Sequence, residues 1–105
     1  MAENNEFDEN IDFNEIFENV KFLLNQISND MGVPRNIRKI GQESINTIES
    51  VNTIDPTDAS IERTPAVCAS TCITLLEDVA QDLNCPLHTR TQIYQIMAFL
   101  EQIRD

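Results

Sequence analysis

The sequence predicts an all-α protein: a four-helix bundle made of two tandem antiparallel helical hairpins. Three observations support this fold class. The 105 residues include only two glycines and four prolines, too few for the many turns of a strand-rich domain. Apolar residues recur at intervals of three and four along four long segments. A pattern of turn residues also occurs twice, at an offset of 52 residues.

The repeated pattern predicts the end of one helix and the start of the next. Each copy contains an aspartate, a residue that readily adopts the left-handed backbone conformation, a proline and an arginine. These residues are Asp30, Gly32, Pro34 and Arg38 in the first copy and Asp82, Asn84, Pro86 and Arg90 in the second. We expect the glycine or asparagine to end a helix in the left-handed conformation and the proline to occupy the first position of the next helix. Such short connections make consecutive helices antiparallel neighbours.

The two aspartates are unusual, because an acid in the last turn of a helix opposes the helix dipole. We expect each carboxylate to reach across its turn, accept hydrogen bonds from the open N–H groups of the next helix and pair with the arginine. A role in ligand binding is the alternative. The predicted structural turn clamp consists of Asp30, Pro34, Arg38, Asp82, Pro86 and Arg90.

The helical spacing places the helices at residues 12–31, 34–52, 65–83 and 86–104. Asp8 or Asp12 is the candidate N-cap of the first helix, and Thr64 that of the third, with Pro65 at the first helical position. Gly41 predicts a close helix–helix contact, since glycine costs a helix about 1 kcal/mol relative to alanine. The apolar faces of the first and third helices are expected to extend to Met31 and Leu83.

The predicted organisation is one helical domain, residues 13–105, after an acidic and partly disordered arm, residues 1–12. The hairpins are expected at 13–52 and 65–105, joined by a linker at 53–64 whose composition is compatible with a short helical turn. The formal net charge is −11, and residues 1–20 hold seven acids and no base. We expect these acids to keep the protein soluble and to interact favourably with the dipole of the first helix. Docking to a basic partner is the alternative.

Charge and hydropathy exclude several partner classes. A nucleic-acid backbone requires a basic face, which a chain of net charge −11 does not predict. No apolar run approaches the length of a membrane span, and the acidic N-terminus does not resemble a secretory signal. We therefore expect a cytoplasmic protein without nucleic-acid or membrane partners.

The side chains that carry chemistry are few. The three cysteines predict reduced thiols. Cys68, Cys72, Cys85 and His88 include the ligand types of a zinc site, but about 15 Å or more of helix separates Cys72 from Cys85. We expect no metal and no cofactor. The single histidine and the absence of a phosphate-binding glycine loop favour a protein that is not an enzyme.

Five residues form a possible partner surface. Arg35 and Lys39 belong, with Arg38, to the only basic cluster, for which ion pairing with Asp30 among others is favoured over a site for a small anion or an acidic partner. Tyr94 and Phe99 lie toward the edges of the fourth apolar face. The full set is Arg35, Lys39, His88, Tyr94 and Phe99.

The residues also resemble a known family, uncharacterised protein family 0147, whose members are small archaeal proteins of unknown function. The run Pro-Leu-His-Thr-Arg-Thr at residues 86–91 is the most specific element of the resemblance. Segments 33–38, 64–67, 75–78, 81–85 and 100–101 extend it over roughly residues 16–105. The resemblance implies a compact helical fold and a cytoplasmic archaeal setting, and it implies no activity. The acidic arm and the cysteines depart from the family pattern.

The function that the sequence favours is a non-enzymatic protein–protein interaction module or a small assembly subunit. An unknown protein partner and a homo-oligomer are both compatible with it. The alternative is a small-ligand-binding protein or an enzyme that uses the turn around residues 88–90. A deep polar pocket there would favour the alternative, whereas side chains held within the turn would count against it.

Overall fold

A computed structural model describes residues 12–52 and 63–103 of the chain. They form four α-helices: α1 (Phe13–Ser28), α2 (Arg35–Glu49), α3 (Pro65–Ala80) and α4 (Leu87–Leu100). Each helix packs against the next one in the chain, and α4 also packs against α1, which closes the ring. The predicted all-α fold, a four-helix bundle, is confirmed. None of the described helices is long and apolar enough to cross a bilayer.

Two helices begin where the sequence places their caps. The Asp12 side chain accepts hydrogen bonds from the N–H groups of Asn14 and Glu15 at the start of α1. Thr64 accepts one from the Val67 N–H at 3.2 Å at the start of α3, where Pro65 holds the first helical position. These caps satisfy N–H groups that have no partner within the helix. Residues 1–11, which include most of the predicted arm, and residues 53–62 of the predicted linker lie outside the described residues.

The first helix ends earlier than predicted. α1 ends at Ser28, three residues before Met31. The carbonyl oxygen of Asp30 accepts a hydrogen bond from the Val33 N–H at 3.0 Å, and its carboxylate accepts one from the Gly32 N–H at 2.8 Å. This side-chain turn competes with a further helical turn. Gly32 does not adopt a positive φ, so the predicted left-handed helix end is wrong.

The second turn repeats this geometry. α3 ends at Ala80 and not at Leu83. The carbonyl oxygen of Asp82 accepts the N–H of Cys85 at 3.0 Å, and its carboxylate accepts that of Asn84 at 2.8 Å. Asn84 also lacks a positive φ, so the left-handed prediction is wrong here too. The matched residues of the two segments therefore form an aspartate turn and not a left-handed helix end.

The earlier helix ends change two further predictions. Met31 and Leu83 are 81% and 96% exposed, so the expectation that they extend the buried faces is wrong. Both residues lie in the turns after the helices have ended, so the helical periodicity no longer determines where their side chains point. Pro34 and Pro86 are the N-cap residues of α2 and α4. Each proline therefore precedes the first helical residue instead of occupying that position. A proline at either place forfeits no helical hydrogen bond.

One core joins the two hairpins, and every helix contributes to it. Its polar members are Ser44 and Thr89, both fully buried. The Ser44 hydroxyl finds no hydrogen-bond partner within the described part of the chain. Thr89 occupies the position equivalent to Ile37 in the repeat. The fully buried apolar side chains include Val20, Leu24, Ile93, Ile96, Leu100 and Cys72.

Gly41 is buried where α2 meets α1, yet the contact leaves space for a methyl group. A Cβ atom at this position would lie 3.6 Å from the carbonyl oxygen of Leu24 and 3.7 Å from the side chains of Ile27 and Ser28, which are ordinary contact distances. We expect Gly41→Ala to raise the free energy of unfolding by about 1 kcal/mol, because alanine favours the helix and restricts the unfolded chain. Urea denaturation measures this change. A lower stability would show that the α1–α2 spacing does require glycine.

Candidate functional site

The two interhelical turns lie side by side at one end of the bundle. The Oδ2 atom of Asp30 lies 3.3 Å from Nε2 of His88, and Oδ2 of Asp82 accepts a hydrogen bond from Nδ2 of Asn36 at 3.1 Å. Asn36 and His88 are equivalent positions of the repeat, as are the two aspartates. Each hairpin therefore sends a side chain from the start of its second helix to the turn of the other hairpin. This reciprocal arrangement is called the paired turns below.

Each aspartate thus uses its two carboxylate oxygens differently. One oxygen holds the local turn, and the other contacts the opposite hairpin. The Gly32 N–H first, and then His88, hold the pKa of Asp30 below its ordinary value. The Asn84 N–H and then Asn36 do the same for the pKa of Asp82. Because hydrogen bonds to the ionised form lower both values, the charged carboxylates stabilise the fold.

We expect Asp82→Ala to lower the melting temperature more than Asp78→Ala, which removes an exposed acid of α3. The reason is that Asp82 accepts hydrogen bonds from Asn84 and Asn36. A carboxyl whose pKa is lowered by folding contributes stability above its ordinary pKa and loses it as the pH falls through the lowered value. The difference between the variants should therefore shrink below about pH 4. Equal melting temperatures at neutral pH would contradict a structural role for Asp82.

The two arginines of the predicted clamp bind backbone carbonyl groups, and neither forms the expected ion pair with its aspartate. Arg38 donates from Nε to the carbonyl oxygen of Val33 at 3.0 Å. Arg90 donates to three backbone carbonyl groups, one at the end of α3 and two in the turn that follows. Its acceptors belong to Ala80 at 2.9 Å, Asp82 at 3.1 Å and Cys85 at 3.5 Å. The guanidinium groups thus bind carbonyl groups of the two turns, and Arg90 also binds the carbonyl group at the end of α3.

The alternative site around residues 88–90 has its polar side chains engaged within the fold. His88 contacts Asp30, Arg90 binds three carbonyls, and Thr89 is fully buried with its hydroxyl oxygen 3.3 Å from Nε2 of His88. These three side chains do not converge on an open position where a substrate would sit. This is the geometry that was expected to count against a ligand site there.

The cysteines and His88 do not come together. Cys68 lies beside Ser50 near the end of α2, with 4.0 Å between the sulfur and the hydroxyl oxygen, whereas Cys85 lies in the turn that precedes α4. Cys72 donates from its sulfur to the carbonyl oxygen of Ser44 at 3.4 Å. Within residues 12–52 and 63–103, no group of three or more histidine, cysteine, aspartate or glutamate side chains is arranged to hold a metal ion.

All three thiols are free and buried, and we expect none of them to react in the folded protein. Burial raises the pKa of Cys72 to about 12 and also raises the pKa values of Cys68 and Cys85. The thiolate is the reactive form, so little is present at neutral pH. Iodoacetamide labelling followed by mass spectrometry should modify no cysteine in the native state and all three in denaturant. Rapid native labelling of any one would contradict this burial.

An uncharged groove runs between α1 and α4 and is called the α1–α4 groove below. Its volume is about 590 Å³. Phe22 at its rim is 63% exposed, and Leu23 and Phe99 are half-buried. Tyr94, 54% exposed, lies one helical turn before Ala98 on α4. The lining residues are Asn19, Phe22, Leu23, Gln95, Ala98, Phe99 and Gln102.

A second groove, the basic groove, lies at the start of α2 and has a volume of about 610 Å³. Arg35 and Lys39 are exposed there, and neither forms an ion pair within the described part of the chain. Asp30 faces His88, and of the basic cluster it interacts with the charge of Arg38. The lining residues are Ser28, Asn29, Arg35, Asn36, Arg38, Lys39 and Gln42.

The predicted partner surface is thus divided among three places. Arg35 and Lys39 line the basic groove, His88 belongs to the paired turns, and Tyr94 and Phe99 lie on α4. Two important residues were not predicted. Phe22 lies outside the apolar stripe of α1. An aromatic residue at a polar position of an amphipathic helix is the sequence signal that could have identified it. Asn36 could have been found as the repeat equivalent of His88.

Comparison with known proteins agrees with the fold. The model of the uncharacterised protein family UPF0147 matches residues 3–103. A UPF0147 protein of Pyrococcus furiosus is 36% identical over 85 residues, 81% of each chain. One of Desulfurococcus amylolyticus is 40% identical over 88 residues, 83% of this chain and 85% of the relative.

Two crystal structures are similar as well. The unknown-function protein MMP1188 has a TM-score of 0.73 and 31% identity, with 91% of this chain and 98% of that chain covered. A UPF0147 protein from Thermoplasma acidophilum has a TM-score of 0.69 and 28% identity, with 87% and 95% covered. Both similarities extend over nearly the whole of the solved chains.

Proposed function

This chain belongs to the uncharacterised protein family UPF0147, and we propose that it is a non-enzymatic protein–protein interaction module of the cytoplasm, a small assembly subunit whose contact surface is the α1–α4 groove. The observation that carries the proposal is the chemistry of this groove. No residue that lines it is charged, although the chain has a net charge of −11. Apolar and uncharged surface with aromatic side chains is typical of the centre of an interface.

Phe22 is the residue on which binding would depend most. Its ring is 63% exposed beside the half-buried Leu23 and Phe99, so burial against a partner would remove additional apolar surface from water. A phenylalanine side chain gains about 1.5–3 kcal/mol when it passes from full exposure to full burial. Aromatic side chains near the centre of a contact commonly contribute most of its energy.

The occupant that fits this surface is a second copy of the same chain. Two molecules that each carry a charge of −11 repel each other, and an uncharged face is where they approach at the lowest electrostatic cost. The face also supplies both parts of a self-complementary contact, a projecting ring at Phe22 and a groove beside it. In a two-fold dimer the same patch is used by both subunits.

The engagement of residues 88–90 supports a role outside catalysis. A catalytic acid, base or nucleophile must face a space that a substrate can enter. Here the Arg90 guanidinium is bound to backbone carbonyls and Thr89 is fully buried.

Sedimentation equilibrium of the full chain over a wide concentration range tests the proposal. We expect the wild-type chain to dimerise and Phe22→Asp to be monomeric with an unchanged melting temperature, because Phe22 is mostly exposed. Thr74→Asp is the matched control, since Thr74 is the exposed repeat equivalent of Phe22 and lies on α3. A wild-type chain that stays monomeric at the highest concentration, or a Phe22→Asp chain that still dimerises, would overturn the proposal.

A further inference from the structure

The basic groove holds positive charges in a position that is unfavourable for the helix that carries them. Arg35 and Lys39 lie one turn apart on α2, and Arg38 lies between them in the sequence. Like charges at this spacing repel each other. The start of a helix is also its positive end, where cations are disfavoured. Three cations at this place therefore oppose the helix dipole and one another.

Within the described part of the chain the fold pairs neither Arg35 nor Lys39 with an acid, although the charge of Asp30 attracts that of Arg38. Asp30, the acid that precedes the cluster in the sequence, faces His88. Glu43 lies one turn after Lys39 and forms no ion pair with it within the described part of the chain. Arg38 is held by the carbonyl oxygen of Val33, which fixes its position at the groove wall.

The second hairpin shows that the turn itself does not require the cations. The positions equivalent to Arg35 and Lys39 are Leu87 and Thr91, which are both exposed and uncharged. They follow a turn with the same aspartate geometry. The positive charges of the first hairpin thus have no structural explanation in the repeat, and an external anion would account for them.

The shape and donors of the groove indicate the class of this anion. The groove is shallow and open, so its cations are presented along a surface and do not enclose one small ion. Guanidinium and ammonium groups donate strong hydrogen bonds to carboxylates. Gln42 and Asn29 add amide groups at the wall. A chain with several carboxylates would contact more of these donors than a single phosphate would.

We propose that the basic groove binds an acidic polypeptide segment of a partner protein, with carboxylates paired to Arg35 and Lys39. The site is separate from the α1–α4 groove, since the two linings share no residue. It does not depend on whether the chain dimerises. Since both cations are exposed, binding should weaken as salt screens the charges.

Titration of the full chain with a fluorescent oligoglutamate peptide tests the inference, with an oligoglutamine peptide as the neutral control. We expect saturable binding of oligoglutamate that falls with added salt. Arg35→Gln combined with Lys39→Gln should weaken binding by about tenfold or more. Lys21→Gln is the control for charge, because Lys21 lies on α1 and is paired with Glu18. All of these positions are at the surface or half-buried, and circular dichroism verifies that each variant folds.

Three results would overturn the inference. The first is the absence of oligoglutamate binding at low salt. The second is an equal loss of affinity in Lys21→Gln, which would indicate a response to net charge and not to the groove. The third is tighter binding of inorganic phosphate than of the peptide in a competition titration, which would indicate a site for a small anion.

Discussion

Arg90→Ala is expected to lower the free energy of unfolding by about 3 kcal/mol, because hydrogen bonds from a charged donor contribute about 1.5–3 kcal/mol each and this variant removes three of them. The guanidinium donates to the carbonyl oxygens of Ala80, Asp82 and Cys85, and so ties the end of α3 to the start of α4. Alanine leaves these carbonyl groups without that donor. Urea denaturation at neutral pH measures the change.

The repeat supplies the control for this variant. Arg38 occupies the equivalent position but binds only one backbone carbonyl, that of Val33, together with the sulfur of Met31. Arg38→Ala should therefore cost about 1 kcal/mol. Arg90→Lys should restore little, because an ammonium group does not reproduce the planar fork of donors. Equal losses for Arg38→Ala and Arg90→Ala would contradict the assignment of three carbonyl acceptors to Arg90.

The sequence predicted the helices because their signals are local. Asp12 and Thr64 cap the helices that follow them, and the apolar spacing locates the buried faces. The ends of α1 and α3 were predicted three residues too late, for a reason that is also local. An aspartate two residues before a glycine or asparagine is compatible with a left-handed helix end and also with an aspartate turn. The residue types alone do not distinguish these two conformations.

The contacts between the hairpins are harder to predict, since they join residues that are far apart in the sequence. Asn36 contacts Asp82 and His88 contacts Asp30, across 46 and 58 residues. Neither pair has a local signal, although the repeat makes each pair the counterpart of the other. The groove beside Phe22 likewise depends on how α4 lies against α1, which the periodicity of one helix does not determine.

The candidate binding surfaces lie where the two copies of the hairpin differ. The turns are alike in both copies, because they serve the same structural purpose. Phe22 has Thr74 as its equivalent, and Arg35 has Leu87. The first copy therefore contributes Phe22 to the α1–α4 groove and positive charges to the basic groove, at positions where the second copy has a threonine and a leucine. A fold whose two turns are held by matched residues leaves the remaining surface positions available for binding.

Neither hairpin is expected to fold alone, in spite of the repeat. The helices have 14 to 16 residues, a length at which isolated helices are marginal in water. Their buried faces also meet across the hairpins, because α2 packs against α3 and α1 against α4. A separate hairpin would expose side chains such as Leu24 or Ile93, which the complete bundle buries fully.

Circular dichroism of two separate chains, residues 1–52 and 63–105, measures this dependence. Each chain alone should show little helical signal and no cooperative thermal transition. An equimolar mixture should regain helix, because the core and the paired turns reassemble without a covalent link. A cooperative transition in either chain alone would contradict the shared core. Asp82→Ala in the second chain should weaken the reassembly, since Asp82 accepts a hydrogen bond from Asn36 of the first.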